Sequence, residues 1–367
     1  MNKPFSIYLD LVRFTAACLV YLYHSNQRWL VKDVLPASDY GHSAVIVFFV
    51  LSGFVIAYIT DTRERLWTTY TASRLSRVYS VALPAVLLTV MLDAAGRQLY
   101  PAPYAYPFDN FLLRSAASLL MLNEVWFVSI TSFSNVPYWS IAYEVWYYAG
   151  FGLLMFLPKR VAWAALVLLA LVLGPKVVLL APIWVLGVVL YRWQRLQALP
   201  EPAAWLLVLG SSVGIAAFMS VGLTEQAAGI FRSQVGDKWY TQFTFSKFFL
   251  GDYLLGVLVF LNFAGMRTVG ARFGFVLLTL ERPIRALAGY TLSLYLLHQP
   301  LFLFWGAVLR GDPAGHAYWW ATTGLVAVSV FAIGYVTENQ RHRLKMWIEG
   351  QLQRLESLLR QRHAVPR

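Results

Sequence analysis

The chain has 367 residues, 59% hydrophobic, 16% aromatic and only 13% charged, with a mean hydropathy of +0.56. A soluble domain carries about 25% charged residues, so this composition excludes an ordinary soluble enzyme and implies an all-α, polytopic bundle of membrane helices. The net charge of +12 does not signal nucleic acid, because no basic cluster comes with a nucleic-acid fold signature; basic residues collected on one side of a bilayer account for it.

The first apolar run, 7–24, carries the only cysteine, Cys18, so no disulfide can form within the chain. No small-residue cleavage site follows it, and it reads as a retained helix, not a signal peptide. It also carries Arg13 and His24, and an arginine at mid-membrane costs roughly 2.5–3.5 kcal/mol. At 3.6 residues per turn the two share a face, about 16 Å apart along the axis. Asp10, three residues before Arg13, is placed to pair with it. Buried ionisable groups of this kind normally face an interior cavity. The plainer alternative is an Asp10–Arg13 lock with an interfacial histidine bonded to a backbone carbonyl.

Further apolar runs follow at 43–60, 78–96, 139–157, 161–173, 177–191, 203–221, 246–264, 288–309 and 318–336, which makes ten with the first. Ser52-Gly53 lies inside the second, where a small pair usually serves close helix packing; a positioning role for Ser52 is the alternative. Arg74 and Arg77 project from one face at the start of the third. YPAPYAYPF at 100–108 is a proline-spaced aromatic loop, suited to anchoring at the interface or to stacking on sugar rings. Between Arg114 and the Asn123-Glu124 pair, 111–128 keeps only eight uninterrupted apolar residues, about 12 Å of helix against a core of about 30 Å.

Glu144 in the fourth run has no basic residue at helical spacing, so its partner must come from another helix. Trp139, Ser140 and Tyr143 flank it. Runs 161–173 and 177–191 are joined by Gly174-Pro175-Lys176, a turn signal that predicts a helical hairpin. His298 lies mid-span, two residues before Pro300. After residue 340, Leu344, Trp347, Ile348, Leu352, Leu355 and Leu359 recur at helical spacing among basic and polar residues. That suits a cytoplasmic amphipathic tail, 341–367, lying on the inner leaflet or packed on the protein. Residues 1–340 form the transmembrane domain.

Charge decides the topology. If 111–128 is re-entrant or lies at the surface and the N-terminus is cytoplasmic, 20 of the 30 basic residues fall on the cytoplasmic side and nine outside. If it crosses, the bias disappears. The expectation is about ten crossings with both termini cytoplasmic.

Several stretches together resemble the membrane-bound acyltransferase 3 family. LDLVRFTAACLVYLYH at 9–24 is similar to its opening helix, FFVLSGFVI at 48–56 to its second-helix signature, and TASRLSRVYS at 71–80 to its basic stretch. WSIAYEVWYY at 139–148 resembles its tryptophan–serine…glutamate…tyrosine motif, and GYTLSLYLLHQP at 289–300 its late histidine helix. The five follow in order along the chain. The resemblance implies an enzyme of the bacterial inner membrane that moves an acyl group, usually acetyl from acetyl-CoA, to a hydroxyl of a surface or exported glycan or a lipid-linked glycan.

Under that resemblance His24 is the general base. Glu144 orients and polarises it, or is itself the base. Arg74 and Arg77 anchor the phosphates of CoA at the cytoplasmic mouth, with Arg13 deeper in. Ser52, Trp139, Ser140, Tyr143 and His298 position the acceptor or simply pack. Acetyl-CoA is a co-substrate; no bound cofactor and no metal site is expected, as no ligand spacing is present. A transporter or flippase for a glycan or lipid-linked substrate is the alternative, since buried charges and short helices suit those too.

Overall fold

A computed structural model describes residues 1–363, so the last four residues of the expected tail lie outside it. Among the described residues the chain is helical, with one isolated bridge between Ser132 and Asn135 and no other β-structure. The helices are α1 (Lys3–Ser25), α2 (Gly41–Thr62), α3 (Trp67–Leu99), α4 (Phe111–Leu119), α5 (Tyr138–Phe156), α6 (Lys159–Leu173) and α7 (Pro175–Arg192). Then come α8 (Glu201–Ser220), α9 (Leu223–Gln242), α10 (Phe249–Val269), α11 (Gly274–Thr279), α12 (Glu281–Gly289), α13 (Thr291–Leu309) and α14 (His316–His363).

Eight helical stretches, in α1, α2, α3, α7, α8, α10, α13 and α14, are long and apolar enough to cross a membrane. This is a multi-pass membrane protein. Of the other two expected crossings, α5 has its hydropathy diluted by tryptophan, tyrosine and Glu144. α6 has 15 residues, about 22 Å of helix. α6 and α7 meet at Gly174 (φ 81°), which forms the expected hairpin.

Segment 111–128 does not cross. α4 has nine residues, about 13 Å, and Met121 and Trp126 then turn the chain through positive φ. The segment is pinned to the α6–α7 turn: Trp126 Nε1 donates to the Leu171 carbonyl at 2.9 Å. The buried Lys176 ammonium pairs with the buried Glu124 carboxylate, and Thr244 donates to the same carboxylate at 2.9 Å.

The two ends of the bundle can be told apart by their ties. At the N-terminal face, Lys3 pairs with Glu281 at 2.7 Å, and Arg285 with Asp10 at 2.9 Å. Arg97, His316 and Arg310 make their bonds at the opposite face. α2 and α13 are the most enclosed crossings and α8 the most exposed. α2 lies flush against α7: a Cβ on Gly53 would sit 2.0 Å from the Trp184 carbonyl oxygen, and one on Gly187 2.0 Å from that of Val50. That close approach is what the Ser52-Gly53 pair predicts.

The expected amphipathic tail is helical as far as it is described. α14 runs for 48 residues without interruption, about 72 Å, so the amphipathic stretch continues the last crossing. Thr69 of α3 donates to Glu349 at 2.6 Å, which packs the first turns of this extension on the protein.

Removing one member of a buried ion pair strands the other. Lys176→Met is expected to destabilise the protein by roughly 3–5 kcal/mol, and Lys176→Met with Glu124→Met to recover much of the loss. Thermal unfolding of the purified variants in one detergent checks this; a double variant no better than the single one refutes it.

Candidate active site

The site begins with a proline. Pro300 has no N–H for the carbonyl of Leu296, four residues back, and Asn135 Nδ2 donates to that carbonyl at 2.7 Å. The freed carbonyl is thus satisfied, within the core, from the segment before α5. His298 lies half a turn earlier and is fully buried.

His298 Nδ1 lies 2.9 Å from the Leu294 carbonyl oxygen. A carbonyl only accepts, so the proton is on Nδ1 and Nε2 presents a lone pair. That Nε2 lies 3.2 Å from Nδ1 of His24, which itself lies 2.9 Å from the Val20 carbonyl oxygen. The same logic puts the His24 proton on Nδ1, shared between two acceptors, and leaves its Nε2 lone pair free. The carbonyl bond is the one expected of an interfacial histidine; that the His298 ring meets it was not legible in the sequence. Tyr21 and Tyr295 wall His298 edge-on, at 6.0 and 6.2 Å between ring centres.

His24 faces a wide cavity toward the opposite face, with Tyr40, His42, Trp139, Phe245 and Lys247 in its wall. A second, narrower cavity lies toward the N-terminal face. Arg13, Arg77 and Arg341 line it, with Glu144 and Glu338. Val45 and Tyr295 belong to both walls. The Tyr295 hydroxyl is bonded to Ser140 at 2.6 Å, which holds this ring, with Val45, where the two spaces adjoin.

Several sequence expectations need correction. Glu144 does not meet His24. Its Oε1 accepts from the hydroxyls of Ser52 and Tyr148, and Trp184 Nε1 donates to Ser52 at 3.2 Å. The carboxylate therefore belongs to the arginine-lined cavity. Arg74 is not at that cavity: its guanidinium is buried against Glu64 at 2.6 Å and lies 5.6 Å from the centre of the Tyr70 ring. Tyr143 is fully buried, its hydroxyl bonded to Ser246 at 3.0 Å, and lines neither space. It ties α5 to the turn before α10.

Trp139 does line the wider cavity, but it is stacked on Phe245 with centres 4.4 Å apart. The aromatic loop at 100–108 is packed, not open. Arg97 donates to the Tyr104 and Tyr106 carbonyls and lies 4.9 Å from the centre of the Phe108 ring.

Arg13 and Asp10 are 3.4 Å apart. Asp10 is closer to Arg285, at 2.9 Å, so Arg13 is only loosely held and keeps donors for a ligand. Arg341 and Glu338, one turn apart on α14, were missed: Arg341 was read as part of the tail, and Glu338 lies just past the last apolar run. Their signal was a charged pair at helical spacing just past an apolar run.

A family model described as an acyltransferase domain matches residues 6–338. The chain belongs to the acyltransferase 3 family. It is therefore a membrane acyltransferase that acts on an acceptor substrate. No curated protein and no solved structure matches it.

In this acyltransferase the second histidine can be tested through what replaces it. His298→Gln keeps an oxygen able to accept from His24 Nδ1, whereas His298→Leu removes the acceptor at similar volume. The Leu variant is expected to lose roughly 10²-fold in kcat and the Gln variant clearly less, both remaining monodisperse. Equal losses in steady-state assays would separate His298 from the chemistry.

Proposed function

We propose that this protein transfers an acyl group, acetyl from acetyl-CoA, to a hydroxyl of a carbohydrate or lipid-linked glycan, with His24 as general base. The observation that carries the reading is the pair of cavities that share Tyr295, one basic and one holding His24. On this reading the N-terminal face is cytoplasmic and the membrane is the bacterial inner membrane. The 20 basic residues counted on that side favour it.

The phosphates of CoA meet Arg77 and Arg341, whose guanidinium groups match phosphate oxygens. Arg13 lies deeper, about 16 Å from His24 along α1. The pantetheine arm brings the thioester along that line to Tyr295. From the other side the acceptor hydroxyl gives its proton to His24 Nε2. The oxygen attacks the thioester carbonyl carbon to form a tetrahedral intermediate. The C–S bond then breaks, and the CoA thiolate leaves and takes up the proton.

While His24 is protonated, its Nδ1–H is held by the Val20 carbonyl and the His298 lone pair. This is the orienting role that a third group plays in nucleophile–base–orienter arrangements. The Tyr295 hydroxyl, in the shared wall, donates to Ser140, whose own proton goes to the Pro137 carbonyl; on leaving Ser140 it becomes the donor to the developing oxyanion. Glu144, held by two hydroxyls beside the arginines, limits the positive charge of the donor cavity and fixes Ser52 and Tyr148.

His24→Ala is expected to abolish transfer while acetyl-CoA still binds, measured with radiolabelled acetyl-CoA on purified protein without any ion gradient. Retained transfer removes His24 from the mechanism.

Arg77→Gln and Arg341→Gln are each expected to raise the KM for acetyl-CoA by roughly tenfold, about 1.4 kcal/mol, with the acceptor KM unchanged. Arg74→Gln instead strands Glu64 and should lower stability. An Arg74 effect confined to the acetyl-CoA KM would reverse this assignment of roles.

A further inference from the structure

A groove between α3, α5 and α6 takes no part in the transfer scheme. Its flanks are apolar and half-buried, with Leu75, Val145, Leu153, Phe156 and Leu169 among them. Ala149 and Gly152 lie between the larger α5 residues and keep the floor low. A Cβ on Gly152 would already sit 3.0 Å from the Tyr70 ring. Trp67 and Leu157 stand at one end, Tyr79 and Val145 at the other. On α3 and on α5 alike the two ends are twelve residues apart, about 18 Å. One leaflet with its headgroups is roughly 20 Å deep, so the groove has the length of a single leaflet.

The Trp67–Leu157 end is polar and basic. Arg74 lines the groove, is 5% exposed, and spends only Nη2 on the protein, donating to Glu64 and Ser73. Its Nε is buried with no acceptor among the described residues, a state that costs free energy until one arrives. Tyr70 and Tyr148 flank the guanidinium, with ring centres 5.6 and 5.9 Å away. Around this end Arg63, Arg65, Lys159 and Arg160 are exposed and enter no ion pair among the described residues. Against these four charges stand Asp61 and Glu349, the latter held by Thr69, and the balance stays positive.

We propose that this groove is a binding site for an anionic glycerophospholipid of the adjoining leaflet. One acyl chain lies along the floor made by Ala149 and Gly152, an ester oxygen of the lipid accepts from Arg74, and the phosphate faces the basic end. A zwitterionic phospholipid offers the same chain, but its headgroup adds a cation that this end repels. The orientation proposed above makes the leaflet the cytoplasmic one; the site itself does not depend on acyl transfer. Val78 and Tyr148 line both the groove and the arginine-lined cavity. The lipid chain therefore packs behind the ring whose hydroxyl holds Glu144.

The test uses the full chain, delipidated in detergent and titrated with dioleoyl phosphatidylglycerol or dioleoyl phosphatidylcholine, with bound lipid counted by native mass spectrometry. One phosphatidylglycerol per chain is expected to bind at least roughly tenfold more tightly than phosphatidylcholine. Lys159→Gln together with Arg160→Gln is expected to remove most of that preference and leave the phosphatidylcholine affinity unchanged. Ala149→Leu fills the floor and is expected to abolish the tight site for both lipids. If Ala149→Leu does not fold, Val145→Trp, at the inner end, is read in the same way. Equal affinity for the two lipids, or a tight phosphatidylglycerol site that survives the filled groove, overturns the proposal. Palmitoyl-CoA binding the groove more tightly than phosphatidylglycerol assigns it to a donor chain and overturns it as well. Acetyl-CoA turnover is measured on the same samples: its absence counts against acyl transfer and leaves the lipid site standing.

Discussion

The cost of placing ionisable side chains inside hydrocarbon organises this molecule. Arg13 in α1, Glu144 in α5 and Arg77 in α3 cannot face acyl tails without losing several kcal/mol each. They converge on one interior space with Arg341 and Glu338. The helices that bear them must therefore turn those faces inward, and the large apolar residues are left for the lipid. Leu206 and Leu168, among others, remain largely exposed on α8 and α6. In water the driving force would be burial of apolar area; here it is the enclosure of polar groups, and a cavity follows directly from it.

The same rule explains the pairing behind each imidazole. A histidine inside the bundle needs its ring N–H groups satisfied. His24 and His298 each turn Nδ1 to the carbonyl one helical turn back, at 2.9 Å. That fixes both tautomers without adding charge, and the contact between the rings follows from α1 lying against α13. On the proposed mechanism a neutral partner has a consequence. A carboxylate behind His24 would form an ion pair on protonation and hold the proton strongly in a medium of low dielectric. An imidazole lone pair orients the ring yet lets the proton pass on to the departing thiolate.

Sequence reasoning reached quantities that run along the chain. Spacing put Arg13 and His24 on one face of α1, the glycine–proline turn gave the α6–α7 hairpin, and the broken apolar pattern of 111–128 excluded a crossing. It failed where the answer depends on which way a helix is rotated and what stands across from it. Glu144 was assigned to His24 because its own helix offers it no partner, but α5 is rotated so that the carboxylate meets Ser52 of α2. Arg74 and Arg77 share one face, yet a neighbouring carboxylate, Glu64, neutralises one and leaves the other open to the cavity. His42 and Asp252 are unremarkable in their own segments, and only the packing of α2 beside α10 brings them together.

The two halves of the site depend on the wall where they adjoin. Tyr295 stands one turn before Gln299 on α13, its hydroxyl on Ser140 of α5, its ring against Phe48 of α2 and His298. Three helices thus hold one ring between a space lined by arginines and a space lined by histidines. Close packing of α2 on α7 through Gly53 and Gly187 leaves α2 little room to recede. α13 is different: Pro300 has already removed one rung of its ladder, and Asn135 holds the freed carbonyl with a single bond. If the wall yields to let the thioester reach the hydroxyl, the movement belongs to α13 and the Tyr295–Ser140 bond, not to α2. A bond of about 1 kcal/mol net is a small barrier beside the cost of parting two helices packed backbone to backbone.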